Sequence, residues 1–159
     1  MNKQQLAAKI WESANQMRSK IEANEYKDYI LGFIFYKYLS EQEEKWLHSN
    51  GYEAENIREY VNEKAPDAYS GKSNLQQNLG YFISYENLFS TWIQKGVDFS
   101  IDDVSVALSA FNRLISPTHK KVFEGIFQTL EVGLSKLGEN AKMQSKAASD
   151  LIHLIDEIP

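Results

Sequence analysis

The feature that most constrains the fold of this chain is an apolar segment close to its start. Residues 30–39 contain a single charged side chain, Lys37. Their apolar side chains would cover the whole circumference of an α-helix, and a helix that is apolar all round is buried by its neighbours. The apolar pattern resumes at Trp46, beyond a charged stretch at 41–45. The sequence therefore predicts one long helix over 25–48, buried at its centre and solvated at its end.

Apolar residues recur every three or four positions in two further parts of the chain, which is the spacing of one helix face. The first stripe, near the N-terminus, consists of Leu6, Ile10, Ala14, Met17 and Ile21. The second stripe consists of Ile101, Val104, Leu108, Phe111 and Ile115. Ser100 and Asp103 stand at the start of the second stripe in the order of a capping box. Both stripes predict amphipathic helices.

The remaining segments are assigned from their caps, glycines and prolines. Helices are predicted over 53–64, 84–95 and 141–158, the second of them with Gly96 at its C-terminal end. Residues 66–78 are rich in Pro, Gly, Ser and Asn, which predicts a loop. Since no segment has a strong strand pattern, we expect an all-α fold, a single-domain bundle of about six to eight helices.

Composition excludes several classes of function. The 159 residues suit one domain. The net charge of −5 argues against tight, autonomous DNA binding, although it is compatible with a local basic patch. There are no cysteines, which excludes disulfides, thiol nucleophiles and cysteine-ligated zinc. The N-terminus lacks the apolar core of a signal peptide, and a membrane-spanning helix needs about 20 apolar residues. We therefore expect a cytoplasmic protein.

No motif in the chain predicts catalysis. No two glycines form a G-x-G loop, and there is no phosphate-binding G-x-x-x-x-G-K-[ST] sequence. The acidic pair Asp102–Asp103 suits a helix start, and the pair Glu43–Glu44 falls in the charged, solvated stretch. The histidines are far apart and predict no metal site. They are His48, His119 and His153.

Basic side chains are the remaining candidates for contacts with DNA or with a partner protein. They are Arg18, Lys120, Lys121, Lys142 and Lys146. The first two lysines lie at a predicted helix start, and the last two lie one turn apart on the last helix. Both placements suit phosphate contacts and equally suit a solvated helix face. Taken alone, these patterns describe a helical domain without a recognisable active site.

The order of several sequence blocks resembles the opening of the modification subunit of type I restriction–modification systems, an adenine-N6 DNA methyltransferase. The first block matches the family's opening helix through Ile10, Trp11, Ala14 and Arg18. The second block runs from Tyr26-Lys27 into the apolar helix and ends in the sequence KYLS at 37–40. Three later blocks follow in the family's order, and the resemblance covers nearly all of residues 2–158. They are YFISYENLFSTWI, FEGIF and LGENAKMQSKAASDLIHLID.

The resemblance implies that residues 1–159 are the N-terminal helical domain of such a subunit. The family's glycine loop and its asparagine-proline-proline-aromatic motif lie in a following α/β catalytic domain, and this sequence has neither. No cofactor is therefore expected in this fragment, whereas S-adenosyl-L-methionine is implied for the full-length subunit. The implied partners are the catalytic domain of the same subunit, the specificity subunit, a second modification subunit and DNA in the assembled complex. The implied role is to help assembly and to close the complex around DNA.

Two other readings stay open from the residues themselves. A free-standing helical adaptor would bind an unrelated protein, and a small helical enzyme would need a cleft with perturbed acids or histidines. We also expect the aromatic helix to offer hydroxyl groups to a partner at its edges, through Tyr36 and Tyr38.

Overall fold

The computed structural model describes residues 4, 5, 8, 23–64 and 71–157. Within these ranges the chain forms eight α-helices and no β-strand. This confirms the predicted all-α class and the predicted number of helices. The apolar stripe predicted between Leu6 and Ile21 lies outside the described residues.

The helices are numbered here in chain order, and four short 3-10 turns lie between them. The helices are α1 (Ala23–Ser49), α2 (Ala54–Tyr60), α3 (Lys72–Leu79), α4 (Phe89–Lys95), α5 (Ile101–Arg113), α6 (Lys120–Phe123), α7 (Gln128–Gly133) and α8 (Ala141–Asp156). The 3-10 turns are Tyr85–Asn87, Gly96–Asp98, Pro117–His119 and Leu134–Leu137. Helices α1, α5 and α8 confirm the three strongest periodic patterns that the described ranges contain. None of the described helices is long and apolar enough to cross a membrane.

Local signals set the end of α4 and the start of α5. Gly96 ends α4 with a φ of 54°, which confirms the predicted stop. The Ser100 amide donates to Asp103 Oδ2 at 2.9 Å, as expected of a capping-box residue at the start of α5. The helix predicted from residue 84 starts later, because Leu88 is extended and separates the first 3-10 turn from α4.

The loop predicted over 66–78 is wrong for its second half, because residues 72–78 belong to α3. Residues 65–70 lie outside the described part of the chain. Leu75 of α3 is fully buried, and it packs in a cluster with Leu47 and Phe82. This tertiary contact stabilises a helix whose own sequence, KSNLQQNL, contains few apolar residues.

Helix α1 is the central element of the bundle and packs against α4, α7 and α8. Phe33 and Tyr36 of α1 are fully buried against Trp92 of α4. The Tyr36 and Trp92 rings are stacked, with their centroids 4.7 Å apart. Such aromatic pairs add about 1 kcal/mol to the stabilisation that burial of their apolar area provides.

Helix α1 differs from its prediction in two ways. Its centre is not buried on every side, since Leu31, Phe35 and Tyr38 are 53%, 38% and 53% exposed. Its charged stretch is not uniformly solvated either, because Glu43 is fully buried. The described helices therefore leave one apolar face of α1 uncovered and enclose an acidic side chain on the other.

Candidate functional site

The buried face of α1 is polar as well as apolar. The residues at steps of three, four, three and four along it are all 0% exposed: Phe33, Tyr36, Ser40, Glu43 and Leu47. Three of the five therefore bring polar groups into the core. Buried polar groups need hydrogen-bond partners, and the partners here come from the segment that precedes α4.

This segment, Tyr81–Leu88, contains no α-helix. The Tyr36 hydroxyl donates to the Asn87 carbonyl at 2.6 Å, and the Ile83 amide donates to Glu43 Oε1 at 2.8 Å. In the reverse direction, the Tyr81 hydroxyl donates to the carbonyl of Leu39 at 2.7 Å. We call this set of contacts between α1 and the segment Tyr81–Leu88 the α1 junction.

Ser40 completes the α1 junction at the start of α4. The first amides of a helix have no partner within that helix, and Leu88, which precedes α4, has no side-chain acceptor. Ser40 Oγ accepts a hydrogen bond from the Phe89 amide at 3.2 Å. A residue of one helix thus supplies the cap that another helix lacks in its own sequence.

Glu43 has an unusual electrostatic environment. Burial raises the pKa of Glu43 well above its ordinary value, the hydrogen bond from the Ile83 amide opposes that rise, and the nearby Glu44 carboxyl adds to it. Its second oxygen, Oε2, has no hydrogen-bond partner among the described residues. Burial and Glu43 together also raise the pKa of Tyr36 and of Tyr81.

The face of α1 that the described helices leave uncovered carries three large side chains at a helical spacing. Leu31, Phe35 and Tyr38 form what we call the α1 strip, in which the Phe35 and Tyr38 rings are stacked with centroids 6.3 Å apart. Singly exposed apolar side chains are ordinary, but a continuous row of them is typical of a protein-binding surface. Tyr38 is thus placed as predicted, whereas the prediction for Tyr36 is wrong because its buried hydroxyl binds Asn87.

A groove of about 320 Å³ opens between the first turns of α1 and helix α7. Asp28 and Tyr29 line one side, and Thr129, Val132 and Lys136 line the other. The Tyr29 hydroxyl donates to the carbonyl of Gly133 on α7. The groove has both polar and apolar walls.

The predicted cationic candidates fall in different places. Lys120 and Lys121 are both exposed on the short helix α6, and Lys142 and Lys146 are both exposed on the first turns of α8. Lys146 also pairs with Asp150 at 3.2 Å. Arg18 lies outside the described residues. The four lysines thus form two pairs on two helices, and their contact with phosphate stays a prediction.

Two other titratable candidates, Asp103 and His119, have structural contacts. Asp103 binds the Ser100 amide and also pairs with Lys95 at 2.8 Å. His119 lies against Gly80, whose φ is 91°, and a Cβ at Gly80 would come within 2.6 Å of His119 Cγ. In the part of the chain that the structure describes, no three His, Cys, Asp or Glu side chains could together hold a metal ion.

Three comparisons with known proteins agree with this architecture. The chain matches the family described as HsdM N-terminal domain over residues 6–157. The type I restriction enzyme MpnII methylase subunit of Mycoplasma pneumoniae is 26% identical over 160 residues, which cover 93% of this chain and 29% of that protein. A crystal structure of a type I restriction-modification system methyltransferase subunit from Streptococcus thermophilus superimposes with a TM-score of 0.75.

That crystal structure is 22% identical in sequence and is matched over 99% of this chain and 34% of its own, so it shows a shared fold. This chain therefore spans about a third, or less, of the length of these two relatives. The family match extends over nearly every residue of the chain, including both sides of the α1 junction. The chain belongs to the HsdM N-terminal domain family, the N-terminal helical domain of the modification subunit of type I restriction–modification systems.

Proposed function

We propose that this chain is the non-catalytic domain of a site-specific DNA adenine-N6 methyltransferase subunit. In this role it helps the subunit assemble with the specificity subunit and helps the complex close around DNA. Membership of the HsdM N-terminal domain family supports the first part. The observation that carries the assembly role is the α1 strip, because it leaves Leu31, Phe35 and Tyr38 open to a partner in an otherwise well-packed helix.

The residues of this chain do not fit a site for S-adenosyl-L-methionine, which the full-length subunit would use. Such sites use a glycine-rich loop at the start of a helix, and the sequence contains no G-x-G. The described glycines with positive φ, which are Gly51, Gly80, Gly96 and Gly125, each stand alone in the sequence. Methyl transfer is therefore assigned to the remainder of the subunit, and this domain acts through its surfaces.

Contact with DNA in the assembled complex would use the two lysine pairs, together with Arg18. Lys120, Lys121 and Lys142 are exposed and have no carboxylate partner among the described residues. These lysines can have only a supporting role in DNA binding. The net charge of the domain is −5, so its overall electrostatic potential repels phosphate. We therefore propose that the lysines help hold DNA that other parts of the complex have already bound.

The assembly role is tested in the full-length modification subunit with Leu31→Ser and Phe35→Ser in the α1 strip. Each variant is purified together with the specificity subunit, and the stoichiometry of the complex is measured by size-exclusion chromatography with light scattering. We expect the variants to fold normally. Their affinity for the specificity subunit should fall by about tenfold or more, as when a buried apolar anchor is removed from an interface.

Val106→Ser is the matched control, because Val106 is 60% exposed on α5 and lies outside the α1 strip. It removes a similar apolar side chain and should leave the complex intact. If the strip variants also form the complete complex, the assembly role of the strip is wrong. Methylation of DNA by the same preparations then shows separately whether the domain matters for the reaction.

A further inference from the structure

The Glu43 carboxyl group occupies a position that should strongly disfavour its charged form. It is fully buried, it accepts one hydrogen bond from the Ile83 amide, and its Oε2 has no partner among the described residues. A buried carboxylate is normally paired with a cation or receives several hydrogen bonds, because its desolvation is expensive. Glu43 has neither form of compensation.

Apart from the Ile83 amide, the groups that face Glu43 do not help its charged form. The Glu44 carboxyl, one position along α1, is acidic, and no Lys, Arg or His acts on Glu43 within the described residues. The hydroxyls of Tyr36 and Tyr81, whose pKa values burial and Glu43 raise, donate to the carbonyls of Asn87 and Leu39 instead. The geometry of the α1 junction therefore favours the neutral carboxylic acid.

We propose that the α1 junction is a proton-linked latch, in which the segment Tyr81–Leu88 stays closed on α1 while Glu43 carries a proton. Opening of the segment exposes the Glu43 carboxyl to water, and its proton passes to solvent. Opening also removes the Ser40 cap from the Phe89 amide and so loosens the start of α4. Protonation of one side chain thus controls how firmly two elements that are distant in sequence are joined.

The sign of the pH effect follows from linkage. In the open form Glu43 titrates near its ordinary value of 4.5, whereas the closed form holds its proton to higher pH. The latch is therefore most stable below that ordinary value and weakens as the pH rises above it. With one proton linked to opening, the closing equilibrium falls by up to about tenfold per pH unit.

The test is amide hydrogen exchange of this 159-residue chain, followed by NMR between about pH 5 and pH 8. Protection factors of the Ile83 and Phe89 amides are corrected for the intrinsic pH dependence of exchange. In the wild type we expect both protection factors to fall by up to about tenfold per pH unit. In Glu43→Gln, which keeps the acceptor for Ile83 and cannot ionise, both should be independent of pH.

Glu41→Gln is the matched control, since Glu41 is an exposed glutamate of the same helix that pairs with Lys37 at 2.7 Å. It should keep the pH dependence of the wild type. A wild type without pH dependence, or a Glu43→Gln variant that retains it, overturns the proposal.

If Glu43→Gln does not fold, infrared spectroscopy of the wild type tests independently whether the Glu43 carboxyl is protonated. The carbonyl stretch of a protonated carboxylic acid should be present at neutral pH. Its absence would show that Glu43 is ionised in the closed junction and would overturn the latch.

Discussion

The hydroxyl of Ser40 accepts a hydrogen bond from the amide of Phe89, 49 residues further along the chain, at 3.2 Å. Ser40 lies in the second half of the longest described helix, and Phe89 begins another. The sequence KYLS at 37–40 and the sequence YFISYENLF are thus two halves of one structural unit. Both belong to the blocks through which the chain resembles type I modification subunits, and their contact gives a physical reason for their joint occurrence.

Ser40→Ala should lower the free energy of unfolding by about 1 kcal/mol, because it removes the cap of α4 and leaves the Phe89 amide without that partner. For a domain of this size the midpoint of thermal unfolding should fall by about 2–4 °C. Circular dichroism during heating measures the change. Ser109→Ala, in an exposed position of α5, is the control and should shift the midpoint very little. Equal shifts in the two variants would contradict the capping role.

Glu43→Gln should change the dependence of global stability on pH. The folded-state pKa of Glu43 is raised by burial, so the wild type is most stable below the ordinary value of 4.5 and loses stability as the pH rises from there towards the raised pKa. The slope is at most about 1.4 kcal/mol per pH unit for one proton. Urea unfolding at about pH 5 and pH 8 should show the variant gaining stability relative to the wild type at the higher pH. A constant difference between the two proteins would argue that Glu43 is ionised in both states.

Tyr36→Phe and Tyr38→Phe should separate a core hydroxyl from a surface hydroxyl. The first substitution leaves the buried Asn87 carbonyl without its donor and should lower the free energy of unfolding by about 1–3 kcal/mol. The second should leave the free energy of unfolding within about 0.5 kcal/mol of the wild type, because Tyr38 is half exposed. Urea unfolding measures both.

In assembly with the specificity subunit, Tyr38→Phe should have the larger effect of the two substitutions, because Tyr38 belongs to the α1 strip. In the full-length subunit, Tyr38→Phe should weaken association with the specificity subunit. Unchanged association, measured by light scattering, would count against a role for this hydroxyl in binding.

Gly80→Ala should destabilise the domain more than Gly51→Ala does. Both glycines have a positive φ, of 91° and 87°, so both substitutions strain the backbone by about 1 kcal/mol or more. A Cβ at Gly80 also meets His119 Cγ at 2.6 Å, whereas a Cβ at Gly51 meets nothing within 4 Å. The difference between the two variants in urea unfolding therefore measures the clash. His119→Ala should recover part of the stability of Gly80→Ala, and a failure to do so would contradict this account.

Much of the fold could be predicted from local pattern. Helices α1, α5 and α8 follow from apolar spacing and from the Ser100–Asp103 start, because amphipathic periodicity and capping act between residues that are close in sequence. Helix α3 could not be predicted in this way, because its stability depends on burying Leu75 in a cluster with residues from distant parts of the chain. The same limit applies to the candidate site. The lysine pairs can be read from the sequence. The sequence does not show which faces of the helices are covered by other parts of the fold.

The sequence by itself determined that this chain is an all-α domain, and its ordered blocks pointed to the type I modification family. Only the tertiary structure decided the roles of the side chains on α1. Glu43 appeared solvated because its sequence neighbours are charged, but it is buried and accepts a hydrogen bond from the Ile83 amide, 40 residues away. Tyr36 and Tyr38 appeared equivalent, and one is enclosed while the other is exposed. Short-range order comes from neighbours in the sequence, whereas burial and hydrogen bonding depend on residues that only the folded chain brings together.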